Sequence, residues 1–300
     1  MQQSKERHER LAPLEQLLAD TMSHATGEGC PPRLAEALNW AVFPGGARIR
    51  PRLCLSVAKA CGGSAKMALS PAISLELLHC ASLVHDDLPC FDNAATRRGR
   101  ASVQARFGER LAVLAGDALI VTAFESVSAQ LAAEDPVITA RLIATIARGV
   151  GAPNGIAAGQ AWECENAEMV DLSVYHRAKT GSLFAAATEA GAVAAGVTAS
   201  TAWAELGIRL GEAYQVADDI LDAASSAEAV GKPVRQDELF SRPSSVEKYG
   251  LSGAAKQLWK LVDEAIVSIP QCPGRQELSA EIKTETDRLL PEQLAAELAA

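Results

Sequence analysis

Two arginines follow three aspartates within one short stretch of this sequence, HDDLPCFDNAATRRG. Asp86 and Asp87 are adjacent, Asp92 comes after a proline, and Arg97 and Arg98 close the stretch. Carboxylate oxygens are ligands that Mg²⁺ prefers, and guanidinium groups match the geometry of phosphate oxygens. Because both kinds of group occur so close together, we expect them to meet on a metal-bound diphosphate.

A second acidic cluster lies much further along the chain, in GEAYQVADDILDAA. Asp218 and Asp222 are spaced by one helical turn in a strongly helical pattern, so they share a helix face, with Asp219 beside them. Carboxylates at this spacing repel each other unless a cation lies between them. One such cluster is usually a solvated helix face, but two clusters in apolar surroundings favour two halves of one metal site.

Composition predicts a helical protein. The chain has 300 residues, contains few aromatic residues (4%), and repeats its apolar residues at helical spacing. Its formal net charge of −9 argues against general binding to nucleic acid or to anionic membranes, which both favour a basic surface. We therefore expect an all-α protein in which the arginines near the acidic motifs serve a local site.

The cysteines and the apolar segments indicate the cellular environment. Seven irregularly spaced cysteines suggest apolar core residues in a reducing cytoplasm, with neither a disulfide framework nor a cysteine metal site. The first residues, MQQSKERHERLAPLEQ, lack the apolar segment of a signal peptide. Gly116, Asp117 and Glu189 interrupt the longest apolar runs, so no membrane span of about 18 residues is expected. These observations predict a soluble, cytoplasmic protein.

The segment PGGARIRP is a candidate anion site. Gly45 and Gly46 form a flexible turn, and Arg48 and Arg50 follow at the start of a predicted helix, whose N-terminus favours anions. A Gly-Gly turn with two arginines is more often a plain loop. As chemistry, however, the segment is a plausible cradle for a diphosphate group.

Helical periodicity predicts the elements that position these residues. The predicted helices span residues 5–22, 31–40, 52–60, 67–87, 107–130 and 202–224, and two or three more follow residue 244. Pro89 ends the helix that carries Asp86 and Asp87, so Asp92 lies on irregular backbone that can fold back toward the same ion. His85 is expected to be structural.

The motifs DDLPCFD, RRG and a separate DDILD together resemble those of the trans-isoprenyl diphosphate synthases, and the resemblance extends from about Phe43 to Val246. The segments GGARIRP, GQAWECE, YHRAKTG and GEAYQVADD are most similar to bacterial geranylgeranyl diphosphate synthases of carotenoid and bacteriochlorophyll pathways. The resemblance implies the isoprenoid synthase class I fold, a single bundle of roughly ten or more helices around a central apolar cavity. It also implies one domain over residues 1–300 and a homodimer.

The implied reaction joins isopentenyl diphosphate to an allylic diphosphate, head to tail and 1′-4. In the family, isopentenyl diphosphate is held by residues that match Arg50, His79 and Arg98. Ala47 stands where many members carry a lysine, which puts part of this site in question. Glu76, His79 and Asp86 fall on one helical stripe, which supports a role for His79 at the site.

The resemblance also implies where the allylic diphosphate and its metal ions bind. About three Mg²⁺ ions are implied on the aspartates of the two motifs, and catalysis is assigned to these aspartates together with Lys179. The aspartates are Asp86, Asp87, Asp92, Asp218, Asp219 and Asp222. The residues expected at the allylic diphosphate are Arg97, Lys179, Thr180, Gln215 and Lys232. Without the resemblance, Lys179 would be interpreted as a surface lysine.

Several positions depart from the family pattern. Glu163 replaces an aspartate in GQAWECE, where Gln160 is expected to orient neighbouring groups, and Gln104 replaces a frequent histidine. Arg235 replaces a usual glycine, and Arg242 replaces a lysine while it retains the positive charge. We expect Gln104 to weaken interactions around the first acidic motif without removing a ligand from it.

Product length is expected to depend on Ala81 and Ser82. They precede Asp86 on the same predicted helix by about 7.5 and 6 Å along its axis, and short-chain farnesyl enzymes of the family carry an aromatic floor there. Because both residues are small, we expect products longer than fifteen carbons, mainly geranylgeranyl diphosphate. The position of a deeper floor stays open.

Three other functions are compatible with parts of the sequence. A farnesyl diphosphate synthase would differ only in product length. A class I terpene cyclase usually carries one DDxxD motif with a different second metal motif, and it needs no site for isopentenyl diphosphate. A non-catalytic regulatory paralogue that binds a synthase partner would tend to lose an acidic motif, whereas both are intact here.

Overall fold

The computed structural model describes residues 2–43, 45–166, 169–224 and 244–291, together with residues 294, 295 and 298, and their side chains from residue 12 onward. Lys232, Arg235 and Arg242 lie outside the described residues. The predictions made for those three residues therefore stay predictions.

The described chain is almost entirely helical, as predicted. The α-helices are α1 (Gln2–Ala25), α2 (Pro32–Val42), α3 (Ile49–Ala60), α4 (Ala65–Asp86), α5 (Val103–Phe107), α6 (Glu109–Leu131), α7 (Pro136–Val150), α8 (Ile156–Ala161), α9 (Leu172–His176), α10 (Ser182–Ala194), α11 (Ala204–Ala224), α12 (Ser245–Ser268) and α13 (Arg275–Thr286). Short 3₁₀ helices span Trp162–Cys164 and Ser200–Trp203, and a π-helical turn spans Arg177–Gly181. Strands β1 (Thr96–Arg97) and β2 (Arg100–Ala101) form one small antiparallel hairpin.

The helix predicted from residue 107 to residue 130 is wrong at its start. Two helices occupy this region, because Gly108 separates α5 from α6 with a φ of 89°. That conformation is open to glycine and strained for other residues. The side chain of Ser102 caps α5 by accepting a hydrogen bond from the Ala105 N–H at 3.3 Å.

Helix α4 lies at the centre of the bundle and packs against α3, α6 and α10. Its residues from Ser70 to Leu78 are all buried, so the helix is enclosed by protein on every side over more than two turns. By length and composition alone α4 and α6 could each cross a membrane, although their sequences were expected to be too interrupted. In the most apolar 18-residue stretch of α4, 72% of the residues are buried inside the protein, as is typical of a core helix.

Helix α11 approaches α10 and the π turn very closely. A Cβ atom on Gly207 would lie 2.3 Å from the Phe184 carbonyl oxygen, and one on Gly211 would lie 2.5 Å from the Gly181 Cα. Real Cβ atoms do not come so near, so only glycine allows this contact. The close approach places the second acidic motif, two turns further along α11, near the segment that carries Lys179.

Candidate active site

One cavity of about 790 Å³ runs into the helical bundle and collects most of the predicted site residues. Its polar part contains both acidic motifs, and its apolar part is lined by side chains from α4, α6, α7 and α8. The predicted residues in its wall are Arg50, His79, Ala81, Ser82, Asp86, Asp92, Arg97, Lys179, Thr180, Gln215, Asp218, Asp219 and Asp222. Residues from distant parts of the chain are therefore brought to one site.

The first acidic motif is built from a helix end and a tight loop. Asp86 is the last residue of α4, and the backbone then turns back so that the Asp92 N–H donates to the Asp86 carbonyl at 2.9 Å. Asn93 makes this reversal possible with a φ of 46°, a left-handed conformation that asparagine tolerates better than most residues. Asp92 thus returns to the side of Asp86, as predicted, and both line the cavity.

Asp87 has a different environment from its neighbour. Its side chain is 3% exposed, and its Oδ1 accepts hydrogen bonds from Arg97 Nε at 2.9 Å and Arg97 Nη2 at 2.5 Å. Burial raises the pKa of Asp87 to about 6, although Arg97 opposes this rise. Asp87 is absent from the cavity wall, so it supports Arg97 and does not present ligand oxygens to the cavity.

Arg97 lies among all three carboxylates of this motif. Besides the bond to Asp87, its Nη2 lies 3.8 Å from Asp86 Oδ2 and 3.9 Å from Asp92 Oδ2. Burial lowers the pKa of Arg97, but the bond to Asp87 and the three negative charges outweigh it and raise the pKa. The guanidinium therefore balances the charge of the motif and still lines the cavity, where an anionic substrate could contact it.

The second acidic motif lies on an unbroken helix. Asp218 and Asp222 are one turn apart on α11 and both line the cavity. Asp219 is engaged by the protein: its Oδ1 accepts from Gln215 Nε2 at 3.0 Å, and its Oδ2 accepts from the Ser245 N–H at 2.7 Å. That second bond satisfies an amide at the first turn of α12, so Asp219 connects α11 with α12.

The predicted isopentenyl diphosphate residues Arg50 and His79 meet in the same cavity. Arg50 packs over the Phe184 ring at 4.5 Å, and its buried Nε has no hydrogen-bond partner among the described residues. Burial lowers the pKa of Arg50 to about 10. Burial, with nearby arginines, also holds the pKa of His79 well below its usual range, so its imidazole is neutral. A buried guanidinium nitrogen without a partner, next to a neutral histidine, suits a bound anion.

The structure contradicts the idea that Arg48 belongs to a diphosphate cradle. Arg48 is 3% exposed and forms salt bridges of 2.6 Å to Glu76 Oε1 and 2.9 Å to Glu15 Oε1. Its left-handed φ of 51° lies just before α3, and its guanidinium links α1 with α4. Glu76 shares the helical stripe of His79, but it serves this buried ion pair.

Arg98 lies beside the cavity and not in its wall. A Cβ atom on Gly46 would come within 3.1 Å of its guanidinium, so Arg98 lies against the Gly-Gly turn that precedes α3. It also borders a narrow cleft that contains Asp87 and Arg97. The geometry thus places Arg98 between the first acidic motif and the glycine turn.

Lys179 and Thr180 reach the cavity from the π turn, Arg177–Gly181. Such turns are rare and occur frequently at functional sites. The Thr180 hydroxyl donates to Gln215 Oε1 at 2.7 Å, which joins the π turn to α11. Lys179 forms a salt bridge with Glu163, and the Gln160 amide donates to Asp86 Oδ1 at 3.0 Å.

Below the acidic motifs the cavity becomes apolar. Ala81 and Ser82 both line it, as predicted, and Leu78 lies one turn deeper on α4. Ile120 of α6 and Val150 of α7 belong to the same wall. The structure thus extends the cavity past the two small residues, and Leu78 and Ile120 are candidates for the deeper floor that the sequence left open.

A sequence model of the polyprenyl synthetase family matches residues 31–276, which is most of the chain. The chain belongs to this family. It is 51% identical to the geranylgeranyl diphosphate synthase of Cereibacter sphaeroides, over 94% of this chain and 97% of the relative. The corresponding enzyme of Rhodobacter capsulatus is 49% identical, over 95% of this chain and 97% of the relative.

A solved structure of a Helicobacter pylori geranyltransferase, complexed with magnesium and isoprenyl diphosphate, has a similar fold. The similarity has a TM-score of 0.78 at 30% sequence identity, and it covers 92% of this chain and 98% of that chain. The predicted isoprenoid synthase fold is therefore confirmed.

The polyprenyl synthetase motifs did not reveal every residue of the cavity. His85 was expected to be structural, yet it lines the cavity with its Nε2 3.3 Å from the Val113 carbonyl oxygen. The available signal was Gly116: a Cβ atom there would lie 2.0 Å from the His85 ring. The sequence also did not predict the salt bridge between Glu163 and Lys179, for which the motif GQAWECE is only a weak signal.

The oxygen donors of the two motifs suit Mg²⁺. Asp86 and Asp92 on one side, with Asp218 and Asp222 on the other, offer hard carboxylate ligands in an otherwise apolar bundle. Among the described residues, no three His, Cys, Asp or Glu side chains converge closely enough to hold an ion by themselves. Mg²⁺ usually takes one or two protein carboxylates and completes its shell with substrate phosphates and water.

Proposed function

We propose that this protein is a Mg²⁺-dependent trans-prenyltransferase. It condenses isopentenyl diphosphate with allylic diphosphates (dimethylallyl, geranyl and farnesyl) in 1′-4 head-to-tail fashion, and it releases mainly geranylgeranyl diphosphate and inorganic diphosphate. One observation carries the proposal: a single cavity combines two acidic pairs, an arginine whose buried Nε has no hydrogen-bond partner, and an apolar wall beyond the acidic motifs. A site for a charged head and an apolar tail needs these three parts.

The chain's own residues have separate roles in this reaction. Arg97 and Lys179 stabilise the negative charge that develops on the allylic diphosphate as its C–O bond breaks. Arg50, His79 and Arg98 orient isopentenyl diphosphate so that its double bond attacks the allylic cation. A proton then leaves to the departing diphosphate, and no side-chain base is needed.

Bound Mg²⁺, about three ions in the substrate complex, would supply further charge stabilisation on the diphosphate oxygens. Asp86, Asp92, Asp218 and Asp222 are the residues best placed to hold it. Asp87 and Asp219 would act indirectly, because each is already engaged by donors from the protein.

The remaining proposals concern the protein as a whole. We propose one catalytic domain over residues 1–300, since helices from both halves of the chain line the cavity. All seven cysteines lie in the described part and are free thiols, which supports a reducing cytoplasm. The resemblance of segments such as GGARIRP and GEAYQVADD to synthases of carotenoid and bacteriochlorophyll pathways supports a place in one of these pathways.

We also propose that the protein is a homodimer, which buries the outer face of α6. Leu114 and Val121 are 53% and 66% exposed, and they lie two turns apart on that face. Light scattering coupled to gel filtration should give twice the monomer mass of 31.5 kDa, and Val121→Glu should shift it toward the monomer. A monomeric parent protein would contradict this proposal.

The experiment for the proposed function uses purified protein, Mg²⁺, labelled isopentenyl diphosphate and each allylic primer in turn. We expect incorporation of label with a twenty-carbon main product, and loss of incorporation when a chelator removes the metal. A fifteen-carbon end product would instead identify a farnesyl diphosphate synthase. Hydrocarbon released from farnesyl diphosphate alone would identify a cyclase, and incorporation only with an added synthase would identify a regulatory subunit.

A further inference from the structure

Two polar side chains, Glu163 and Gln160, connect Lys179 with Asp86 of the first acidic motif. Glu163 accepts a hydrogen bond from the Tyr175 hydroxyl at 2.6 Å and forms a salt bridge with the Lys179 ammonium. The Gln160 amide nitrogen lies 3.3 Å from Glu163 Oε2 and 3.0 Å from Asp86 Oδ1. Glu163 is therefore the junction through which Lys179, Tyr175 and Gln160 are held together.

The backbone brings these residues into contact at one crossing. Glu163 lies in the 3₁₀ turn that follows α8, whereas Lys179 lies in the π turn. Helix α8 touches the π turn at Gly159, where a Cβ atom would lie 2.3 Å from the Lys179 backbone nitrogen. The two segments are packed as tightly as glycine permits, so the relative positions of Glu163 and Lys179 are fixed by the fold.

The burial of the pair shows that it is more than a surface ion pair. The Glu163 side chain is 8% exposed and the Lys179 side chain is 19% exposed, and Lys179 lines the cavity. A lysine side chain has many rotamers and would lose this conformational entropy on binding a substrate. A partner that fixes the ammonium in advance removes that cost from the binding step.

We infer that Glu163 is a positioning residue, which holds the Lys179 ammonium beside Asp86 where it can contact the diphosphate of the allylic substrate. This inference rests on the proposed function. Tyr175 and Gln160 orient the Glu163 carboxylate. Lys179 lines the cavity, whereas Glu163 does not. A glutamate in place of the family's aspartate reaches the ammonium with one additional methylene group.

The test is a double-mutant cycle on Glu163→Gln and Lys179→Met. Glu163→Gln has nearly the same shape but lacks the charge, and we expect kcat/KM for geranyl diphosphate to fall at least tenfold, as for a misplaced catalytic group. KM for isopentenyl diphosphate should change less than twofold, because the contacts of this network join Glu163 to Lys179, Tyr175 and Gln160 and not to Arg50 or His79. The double variant should match Lys179→Met within about twofold, since Glu163 acts through Lys179.

Glu205→Gln is the matched control. Glu205 also forms a carboxylate ion pair, of 2.7 Å with Arg209, but it is 45% exposed on α11 and does not line the cavity. This variant should keep the parent kinetics. Glu163→Asp retains the charge and should retain at least one third of the parent activity.

Three results would overturn the inference: parent kinetics in Glu163→Gln, an equal rise in KM for both substrates, or multiplicative losses in the double variant. Thermal unfolding should show that each variant is folded. Should Glu163→Gln unfold, Tyr175→Phe provides the second test, because it removes only the hydroxyl that orients Glu163. It should raise KM for the allylic substrate alone, and a change in both KM values or in neither would also overturn the inference.

Calorimetric titration with inorganic diphosphate and Mg²⁺ separates this inference from the proposed function. Glu163→Gln and Lys179→Met should weaken diphosphate binding by a similar factor, even if the parent protein condensed no substrate. Absent condensation with this binding pattern would refute the function and retain the positioning role. Active parent protein with unchanged diphosphate binding in Glu163→Gln would refute the positioning role alone.

Discussion

The two acidic motifs each contain three aspartates, but their backbones differ. In the first motif a helix ends at Asp86 and a loop returns Asp92 to its side, whereas in the second motif Asp218 and Asp222 lie on continuous helix. Nevertheless, both motifs divide their adjacent aspartates in the same way. The second aspartate of each pair is buried and bonded to protein donors, whereas the first lines the cavity; Asp219 borders the cavity as well, but Asp87 does not.

This division shows that an acidic motif needs internal support. Asp87 supports Arg97, and Asp219 supports the start of α12. Asp87 and Asp219 each accept at least two hydrogen bonds, and these bonds offset the repulsion between each carboxylate and the neighbouring aspartate. The comparison therefore predicts that the members of each pair differ in what their loss would damage.

The largest effect is expected for the cavity-lining aspartates. Asp86→Ala and Asp218→Ala should each lower kcat by a factor on the order of 10² to 10³, because each removes a carboxylate that would hold Mg²⁺, and Mg²⁺ would stabilise the charge on the departing diphosphate. Their melting temperatures should stay close to that of the parent protein, as measured by circular dichroism. A strongly destabilised Asp218→Ala would break the proposed division, since it would show a structural role for that residue.

A large effect on both activity and stability is expected for Asp87→Asn. The substitution removes the charge that Arg97 contacts at 2.5 Å, so the free energy of unfolding should fall by about 2 kcal/mol. Activity should fall less than in Asp86→Ala, because the residues that line the cavity remain. Chemical denaturation of both variants measures the contrast. Equal stability of Asp87→Asn and the parent would contradict the supporting role of Asp87.

The residues one helical turn before each motif differ in size. Ala81 and Ser82 precede the first motif, whereas the aromatic Tyr214 precedes the second, and all three line the cavity. The product tail should therefore extend beneath the first motif only. Ala81→Phe should shift the products toward fifteen carbons or fewer, as measured by chromatography of the dephosphorylated products. Tyr214→Ala should not lengthen the product, and an unchanged profile in Ala81→Phe would refute the assignment.

The smallest effect is expected for Asp219→Asn. Asparagine keeps an oxygen that can accept from the Ser245 N–H, but it loses the charge that favours a helix N-terminus, so stability should fall by about 1 kcal/mol. Activity should fall about tenfold or less, through a small displacement of Asp218. A loss as large as that of Asp218→Ala would indicate that Asp219 is itself a metal ligand.

The sequence predicted the fold and the contents of the cavity well, because these depend on periodicity and on rare combinations of residues. Helix α4, for example, was expected over residues 67–87 and spans Ala65–Asp86. The sequence did not predict which charged groups pair inside the protein. Arg48 was misassigned because its partners Glu15 and Glu76 come from two other helices. Tertiary packing chooses such partners, and no local pattern records the choice.

The role of Asp219 was missed for a related reason. Next to Asp218 it looks like an equivalent ligand, and both residues line the cavity, but both oxygens of Asp219 accept hydrogen bonds, from Gln215 Nε2 and from the Ser245 N–H. The sequence shows that Asp218 and Asp219 are adjacent. The donor that engages Asp219 comes from the start of the neighbouring α12. The placement of His85 likewise depends on a glycine in a different helix.

The π turn at Arg177–Gly181 makes this site sensitive to the number of residues in the chain as well as to their identity. In a surface loop, the gain or loss of one residue is commonly absorbed without consequence. Here the loss of one residue would convert the wide turn into an ordinary helical turn and would present a neighbour such as Ala178 where Lys179 now stands. An alignment that tolerates a gap at this point would therefore conceal a functional difference between two otherwise similar proteins.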